Sequence, residues 1–542
     1  MKKFSLVLIM ALIALGVRAQ EIAPGVYWIY FTDKDGIAYQ IDQPGEFLSE
    51  RAVNRRAMQG LGVDNLDLPV NPSYLQEIEA LDVEIRHVSR WLNGVAMINM
   101  DEAAFQEVLM LSFTDTVPWI PDTDESFFPQ KGGEARFAPP LDPPPAFDYG
   151  IAREQVGLVS TDGLHDMGYT GGGVWVGVLD AGFYNVDSLP SFISLIDQGR
   201  ILGTRNYVDN SSIFRLNSSH GMSVLSIMAG EWNAFLVGTA PHASYLLCTT
   251  ENSDQETRIE EIAWIEAAEY ADSLGVDVIN TSLGYSDFDG LNYDYTYRDM
   301  DGKGSFISRA ASLTASRGMI LCNSAGNSGD DPWFYITAPA DANDILAVGA
   351  VDSTNTIANF SSRGPSYDAR IKPDITAMGR GTGIQYRNGT VGRGNGTSYA
   401  SPVMAGSVAA LWQAFPELPA RELIYKIRQS SHLNMNPDAS YGFGTPNMLG
   451  AYHTITSIPE GLAAGKMEIW PNPARMRIMI RIPETASELH QVRLYDMNGR
   501  IAGSQQMELP GEMLLPESLS SGIYIIEVRT TSHIYRSRLL KQ

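Results

Sequence analysis

One serine in the chain stands where a nucleophile could be activated. Ser398 lies in GNGTSYASPVMAG, residues 394–406, behind small residues and in front of an apolar run with helical spacing. A helix start leaves backbone N–H groups unpaired and carries positive partial charge, and Pro402 is tolerated only near that first turn. The hydroxyl could attack a carbonyl while nearby amides hold the oxyanion. A capping serine before a core helix is the alternative, so the interpretation depends on partners elsewhere.

Three further polar residues end strand-like runs or begin a helix. Asp180 ends GVWVGVLD, His220 lies in NSSHGMSVLSIMAG, and Asn327 ends NSAGN. Each of them alone favours a structural role, as a loop starter or a cap. Together with Ser398 they supply a nucleophile, a base for its proton, an acid that orients the imidazole, and an oxyanion donor. The combination predicts nucleophilic acyl transfer.

The elements that must position these side chains alternate between strands and helices. Short apolar runs typical of buried parallel strands lie at 173–180, 243–250, 276–284, 319–326 and 344–351. Amphipathic helices predicted at 257–274 and 305–317 each stop before a glycine. This rhythm predicts an α/β domain with an open, mostly parallel sheet and helices on both faces. Such sheets bind ligands beyond the carboxyl ends of their strands, where Asp180 and Asn327 fall.

The order of the reactive residues along the chain, Asp then His then Ser, is the order found in subtilisin. Seven segments resemble motifs of the subtilisin-like serine peptidases in order, over about residues 150–455: VGVLDAGF, HGMSVLSIMAG, GTAPHA, VINTSLG, SAGN, FSSRGPS and GTSYASPVMAG. The chain therefore resembles the subtilase family. The related sedolisins carry glutamate and aspartate in place of the histidine and the oxyanion asparagine, so His220 and Asn327 point away from them.

This resemblance implies a role for each candidate residue. Ser398 would attack the scissile carbonyl, His220 would act first as base and then as acid, and Asp180 would orient His220. Asn327 and the Ser398 backbone N–H would form the oxyanion hole. Two facing segments would bind an extended peptide, mainly as an added strand. Their residues are Ser282, Leu283, Gly284, Ser324, Ala325 and Gly326. No cofactor is required for this chemistry.

An acidic segment rich in tyrosine, residues 285–304, follows one of these substrate-lining segments and is expected to overhang the cleft. Within it DMDGKG, residues 299–304, places oxygen ligands at alternating positions, as calcium loops do. The full twelve-residue spacing with a terminal glutamate is missing. A solvated acidic loop and a structural calcium site both stay open, and metal ligands are left unassigned.

Three segments are predicted before the catalytic domain. Residues 1–19 show the lysines, apolar stretch and small-residue cleavage site of a secretory signal peptide. Residues 20–115 form a small α+β pattern that resembles a subtilase propeptide, chiefly through WLNGVAMINMDEAAFQEVL, with a permanent accessory domain as the alternative. Residues 116–149 are rich in proline and predict an extended linker. The catalytic domain is then expected over 150–457.

The last segment, residues 458–542, alternates apolar and polar residues around Asn-Gly and Ser-Gly turns and predicts a small β-sandwich. IWPNPA, VRLYDMNGR, SGIYIIEV and RSRLLK resemble the C-terminal sorting domain of type IX secretion in Gram-negative bacteria. The resemblance implies the type IX secretion machinery as a partner and a secreted or cell-surface location. A carbohydrate-binding or adhesive module is the alternative.

Charge and composition exclude several other classes of function. The formal net charge of −24 argues against a nucleic-acid partner. After the predicted signal no stretch approaches the roughly 20 apolar residues that a membrane-spanning helix needs. Cys248 and Cys322 lie in apolar strand-like runs and are predicted to be buried free thiols.

The resemblance implies a secreted serine endopeptidase, made as a precursor, that hydrolyses protein or peptide substrates through an acyl-enzyme intermediate. Two alternatives stay open, a catalytically silent surface-binding protein that keeps the fold and an esterase. Side-chain preference, natural substrate, processing sites and oligomeric state do not follow from the sequence.

Overall fold

The computed structural model of the chain describes residues 21–118, 126–130, 137–209, 211–290, 293–456, 467–482, 489–496, 501–516, 518–529 and 534–542. The described residues form two compact units that divide between Tyr452 and His453. The signal peptide predicted for residues 1–19 lies outside the described residues.

The first unit begins with a small α+β region. Its strands are β1 (Glu21–Ala23), β2 (Val26–Phe31), β3 (Val63–Asp64), β4 (Glu84–Ser89), β5 (Gly94–Ile98), β6 (Thr114–Asp115) and β7 (Ser126–Phe127). Its helices are α1 (Glu50–Gln59), α2 (Pro72–Glu79) and α3 (Glu102–Leu109). The main sheet is antiparallel in the order β1-β2-β5-β4, and β6 pairs with β2. The predicted α+β pattern is therefore confirmed.

The α/β region follows in the same unit. Its strands are β8 (Trp175–Asp180), β9 (Ile201–Asn206), β10 (Glu231–Trp232), β11 (Leu236–Val237), β12 (Ser244–Thr249), β13 (Val278–Thr281), β14 (Ile320–Ser324), β15 (Leu346–Val351), β16 (Ile375–Met378), β17 (Arg380–Gln385) and β18 (Val391–Asn395). Its helices are α4 (Arg153–Leu158), α5 (Asp162–His165), α6 (Ile193–Asp197), α7 (His220–Ala229), α8 (Ile259–Leu274), α9 (Phe306–Ser316), α10 (Thr397–Ala414) and α11 (Ala420–Ser430). The helix α12 (Met448–Thr456) begins in this unit, and the division between the units falls within it.

The central sheet has seven parallel strands in the order β16-β15-β14-β13-β8-β12-β9. The chain runs from β8 out to β9, returns to β12 beside β8, and then crosses to β13 on the other side. The change of direction puts the carboxyl end of β8 at a switch point of the sheet, where ligands of such folds bind. The predicted open parallel sheet is confirmed.

The sheet is buried on both faces by helices. On one side lies α10, whose apolar residues are buried all round the helix, as is typical of a central helix. On the other side α8 and α9 share a core cluster with Ile279 and Leu321 of the sheet. The α8 helix ends at Gly275, whose φ of 89° is the left-handed conformation that favours glycine.

The N-terminal sheet packs on α8 and α9 through one of its faces. Residues of β2 alternate, so that Tyr27 and Ile29 face α2 and α3 whereas Trp28 faces the α/β region. The Trp28 ring meets the Phe306 ring of α9 edge to face at 5.6 Å. A Cβ on Gly275 would lie 2.7 Å from the backbone of Ala52 in α1, so the two regions are in close contact there.

The second unit is made of antiparallel strands. They are β19 (Glu468–Trp470), β20 (Arg477–Arg481), β21 (His490–Tyr495), β22 (Ile501–Met507), β23 (Gly511–Leu514), β24 (Gly522–Arg529) and β25 (Ile534–Lys541). They form a three-stranded sheet, β19-β20-β23, and a four-stranded sheet, β22-β21-β24-β25. Apolar residues of both sheets share one core, so the predicted β-sandwich is confirmed.

Candidate active site

Asp180 and His220 are in direct contact at the carboxyl edge of the sheet. Asp180 is the last residue of β8 and is fully buried, and His220 is the first residue of α7 and is 33% exposed. His220 Nδ1 lies 2.7 Å from Asp180 Oδ1, which also accepts the N–H of Ala181 at 2.7 Å. Gly221 permits this approach, because a Cβ there would lie 2.9 Å from the Asp180 Cβ.

The electrostatics of this pair favour a charged imidazole. Burial lowers the pKa of His220, but the negative charge of Asp180 and its hydrogen bond outweigh burial, and the net effect raises the pKa above its ordinary value of 6.5. The hydrogen bond also places a proton on Nδ1 when the ring is neutral, which leaves Nε2 as the acceptor. The ring can therefore take up a proton at Nε2.

Ser398 occupies the second position of α10, and Gly396 makes the sharp entry from β18 with a φ of 151°. The first N–H groups of a helix have no acceptor within the helix, so this end of α10 presents donors. The ring of Tyr399, the next residue, stacks on the ring of His220 with centroids 6.1 Å apart. This contact brings the imidazole and the serine segment together.

Two reciprocal hydrogen bonds join Ser398 to Ser282. The Ser398 hydroxyl donates to the Ser282 carbonyl at 3.1 Å, and the Ser282 hydroxyl donates to the Ser398 carbonyl at 2.8 Å. The second bond compensates for Pro402, which lacks the N–H that would bind the carbonyl four residues earlier in the helix. In this structure the Ser398 hydroxyl is thus directed at a carbonyl, and it must turn to reach His220.

Asn327 is fixed beside the serine by Thr397. Its Oδ1 accepts the Thr397 backbone N–H at 2.8 Å and the Thr397 hydroxyl at 3.0 Å. Because a backbone N–H can only donate, this contact identifies the amide oxygen and leaves the Nδ2 hydrogens for another acceptor. The Asn327 side chain is exposed, so an oxyanion close to Ser398 could receive them.

The two predicted substrate-lining segments lie side by side. The Leu283 carbonyl accepts the Ser324 hydroxyl at 3.1 Å. The Ala325 N–H donates to the Val348 carbonyl at 3.0 Å, and the Gly326 N–H donates to the Thr397 hydroxyl at 3.3 Å. Residues 324–326 are therefore held by hydrogen bonds to neighbouring segments, whereas Gly284 is exposed.

The acidic segment after Gly284 is anchored at several points. Tyr285 and Ala338 exchange backbone hydrogen bonds of 2.8 and 3.1 Å, and Tyr285, Phe288 and Tyr295 are buried. Its carboxylates act locally as acceptors, Asp299 for Thr296 and Asp301 for the backbone N–H groups of 303 and 304. These turn contacts account for the alternating oxygens of DMDGKG.

Both cysteines are buried and free, as predicted, and burial raises the pKa of the Cys248 thiol to about 12. A thiol with so high a pKa is a poor nucleophile at neutral pH. Among the described residues no helix is both long and apolar enough to cross a bilayer.

The contacts that hold the N-terminal region on α8 were not predicted from the sequence. Asp272, fully buried in α8, forms ion pairs with Arg55, Arg56 and Arg90 of that region, the last two at 3.0 and 2.8 Å. Burial raises the pKa of Asp272, but the three arginines outweigh burial and lower it overall. Arg51 binds Asp277 in the same way at 2.6 Å.

Glu269, one turn earlier in α8, is bound by the turn between β4 and β5. Its two oxygens accept the Ser89 hydroxyl at 2.6 Å and the N–H groups of Arg90 and Trp91, both at 3.0 Å. A carboxylate with three donors is fully satisfied although it is buried. These long-range partners have no periodic or motif signal in the sequence.

The comparisons with known proteins agree with this organisation. The subtilase family model matches residues 171–444, the Peptidase S8 propeptide domain of Bacteroidota matches residues 26–131, and the secretion system C-terminal sorting domain matches residues 468–542. The last of these is the sorting domain of type IX secretion and indicates export to the cell surface or beyond.

Several relatives share the central part of the chain. Membrane-bound transcription factor site-1 protease of Rattus norvegicus is 30% identical over 325 residues, 57% of this chain and 28% of the relative, so the chain spans little more than a quarter of that protein. Subtilisin DY of Bacillus licheniformis is 28% identical over 296 residues, 54% of this chain and 96% of the relative.

Among solved structures, the crystal structure of MycP1 from Mycobacterium smegmatis matches with a TM-score of 0.44, 19% identity, and coverage of 62% of this chain and 94% of that chain. Half of the residues fall within the subtilase model, and the propeptide and sorting-domain models match on either side of it. The chain belongs to the subtilase family.

Proposed function

We propose that this chain is the precursor of a secreted serine endopeptidase that hydrolyses peptide bonds through an acyl-enzyme intermediate. The observation that carries the proposal is the 2.7 Å contact between His220 and Asp180 at the switch point of the sheet. The His220 ring also stacks on the ring of Tyr399, the residue that follows Ser398. A buried carboxylate, an imidazole and a serine at a helix start are the groups that acyl transfer needs.

Attack begins when the Ser398 hydroxyl leaves the Ser282 carbonyl and gives its proton to His220 Nε2. The serine oxygen then bonds to the scissile carbonyl carbon, and Asp180 stabilises the imidazolium through Nδ1. The oxyanion is held by Asn327 Nδ2 and by the backbone N–H of Ser398. His220 returns the proton to the leaving amine, and water enters by the same steps in reverse to release the acid.

Substrate recognition is assigned to the segments on either side of the cleft. Ser282, Leu283 and Gly284 extend β13 beyond its carboxyl end, and the exposed Gly284 offers backbone to a peptide that adds as a further strand. Main-chain recognition is tolerant of side chains, which fits protein or peptide substrates of varied sequence. Ser324 supports this segment through its bond to the Leu283 carbonyl.

The N-terminal region is assigned the role of a propeptide that assists folding and blocks activity until it is removed. Its contact with α8 supports this role, because three of its arginines and its turn between β4 and β5 bind carboxylates of α8 that the region covers. The C-terminal sandwich would be the signal recognised by the type IX secretion machinery.

Labelling with a fluorophosphonate tests the proposal. The processed protein should react, and Ser398→Ala should not. A folded wild-type protein that fails to react after removal of residues 21–130 would favour the silent surface-binding alternative. Comparing kcat/KM on a peptide and on the ester of the same acyl group separates a peptidase from an esterase.

A further inference from the structure

One side chain lies between the two substrate-lining segments. Gly284 ends one segment and Gly326 ends the other. A Cβ added to Gly284 would overlap the hydroxyl oxygen of Thr337, and a Cβ added to Gly326 would lie 3.0 Å from the same atom. Because a side chain on either glycine would meet this one hydroxyl, Thr337 occupies the gap between the segments.

The backbone holds Thr337 in this gap. Its N–H donates to the Ala325 carbonyl at 3.3 Å, and its carbonyl accepts the Ala340 N–H at 2.8 Å. The next residue, Ala338, exchanges backbone hydrogen bonds of 2.8 and 3.1 Å with Tyr285, which follows Gly284. Thr337 is thus joined to one segment directly and to the other through its neighbour. Withdrawing its side chain from the gap would break these bonds.

The Thr337 hydroxyl holds no other part of the described structure. The residue is only 5% exposed, and its hydroxyl has no hydrogen-bond partner among the described residues. The hydroxyl of Ser362, which is also close to Gly326, accepts the Ser328 N–H at 3.0 Å. A buried hydroxyl without a partner is rare and needs an explanation. Since Thr337 forms no side-chain hydrogen bond that secures the fold, filling the gap is what its side chain does.

The gap lies where one substrate side chain has to go. In the proposed reaction the scissile carbonyl lies between Ser398 and Asn327, and Asn327 directly follows Gly326. The side chain of the residue that supplies this carbonyl, called here the acyl residue, begins only two bonds from the carbonyl carbon. A peptide that pairs with residues 282–284 as a strand places successive side chains on opposite faces. Beside Gly326, the face directed into the protein is the gap that Thr337 fills.

We propose that Thr337 restricts the site to substrates whose acyl residue is glycine, alanine or serine. The inference rests on the proposed peptidase function and adds its specificity at this one position. A benzyl or isobutyl side chain would need the volume that the Thr337 side chain occupies. Close-packed protein accommodates such overlap only by moving backbone at a cost in free energy. Substrates with large acyl residues should therefore be bound less well in the transition state.

The test measures kcat/KM of the processed protein on a series of peptides that differ only in the acyl residue: glycine, alanine, serine, leucine or phenylalanine. The wild-type protein should cleave the alanine peptide at least about tenfold better than the phenylalanine peptide. Thr337→Gly should raise kcat/KM on the phenylalanine peptide by at least about tenfold and change that on the alanine peptide much less. Thr337→Ala, which keeps a Cβ and its backbone restriction, should give an intermediate ratio.

Thr250→Ala is the matched control. Thr250 is also buried, and its hydroxyl likewise has no hydrogen-bond partner among the described residues. It follows β12 and lines a separate cavity beside Arg86 and His87 of the N-terminal region. Thr250→Ala should leave the ratio between the alanine and phenylalanine peptides unchanged. This ratio does not depend on the fraction of folded enzyme, so partial misfolding of a variant cannot imitate the expected shift.

Fluorophosphonate labelling of the same samples separates this inference from the proposed function. If the wild-type protein is neither labelled nor able to cleave any peptide of the series, the peptidase proposal fails and the specificity falls with it. If the labelled protein cleaves the phenylalanine peptide as well as the alanine peptide, the role of Thr337 is overturned while the peptidase proposal stands. An unchanged ratio in both Thr337→Gly and Thr337→Ala would have the same meaning.

Discussion

The Ser282 hydroxyl donates to the Ser398 carbonyl at 2.8 Å, and it takes the place of the backbone N–H that Pro402 lacks. The substrate-lining segment and the helix that carries the candidate nucleophile are thereby joined at the nucleophile itself. A proline inside a buried helix is tolerated here because a side chain from another strand satisfies the released carbonyl.

Removal of the Ser282 hydroxyl should destabilise the protein strongly only when Pro402 is present. Ser282→Ala leaves a buried carbonyl unpaired and should lower the free energy of unfolding by about 1–3 kcal/mol. Pro402→Ala restores a helical N–H for the same carbonyl, so Ser282→Ala should cost less in that background. A double-mutant cycle by chemical unfolding, in the Ser398→Ala protein, measures the coupling. Additive effects would contradict this account of the bond.

Asn327→Ala should lower kcat by about 10²–10³-fold with little change in KM, a magnitude known from the corresponding donor of a subtilisin. Asn327→Asp provides a matched control, because it keeps the oxygen that accepts from Thr397 and loses the donor hydrogens. It should be at least as inactive as the alanine variant and equally well folded by circular dichroism. Full activity in Asn327→Asp would exclude an oxyanion role.

The rate should depend on pH through His220. The base must be neutral to accept the serine proton, so kcat/KM should rise as His220 loses its proton, with an apparent pKa above 6.5 because Asp180 raises it. Asp180→Asn removes the charge that raises the pKa and should shift the rising limb to lower pH while lowering the rate. If the rising limb of the pH profile does not move in Asp180→Asn, the titrating group is not His220.

The ion pairs of Asp272 should matter in the precursor and much less after processing. Asp272→Asn leaves three arginines at a buried interface and should destabilise the precursor by about 3–5 kcal/mol. Glu266→Gln is the matched control on the same helix, since Glu266 is one-third exposed and its bond to His87 should contribute less than about 1 kcal/mol. If both variants have equal effects in urea unfolding of the Ser398→Ala precursor, the ion pairs of Asp272 do not stabilise the precursor as predicted.

Processing should leave a mature N-terminus between Phe127 and Phe137. β7 pairs with β3 of the N-terminal region, whereas Ala138 and Leu141 donate to carbonyls of Gly172 and Gly168 in the α/β region at 3.1 and 3.0 Å. Backbone on either side of this interval therefore belongs to different parts of the molecule. Sequencing of the mature N-terminus checks the prediction. Active enzyme that begins at Glu21 would instead support a permanent accessory domain.

The parts of the site that follow buried strands could be predicted from sequence. Asp180 ends the strand β8 and Asn327 lies three residues beyond the end of β14, and the topology of a parallel sheet brings such positions to one edge. Helix stops before Gly275 and Gly318 were equally visible, because a left-handed C-cap favours glycine. Local chemistry and periodicity carry this information.

The contacts made between distant segments could not be predicted in this way. The pairing of Arg56 with Asp272 joins residues 216 positions apart, and neither residue stands in a motif. Glu269 looks like an ordinary charged position of a helix until folding buries it under the turn between β4 and β5. Whether a charged residue is solvated or held in an ion pair depends on its burial in the fold, and a single sequence does not show that burial.

Glu269 and Asp272 on α8, and Asp277 just beyond its end, lie under the N-terminal region, and the proposed processing would uncover all three. On the proposed processing, the mature protein would carry a negatively charged surface complementary to the arginines of the region that is removed. The released region would then rebind and inhibit in trans until it is degraded, and added salt, which screens the ion pairs, should speed its dissociation.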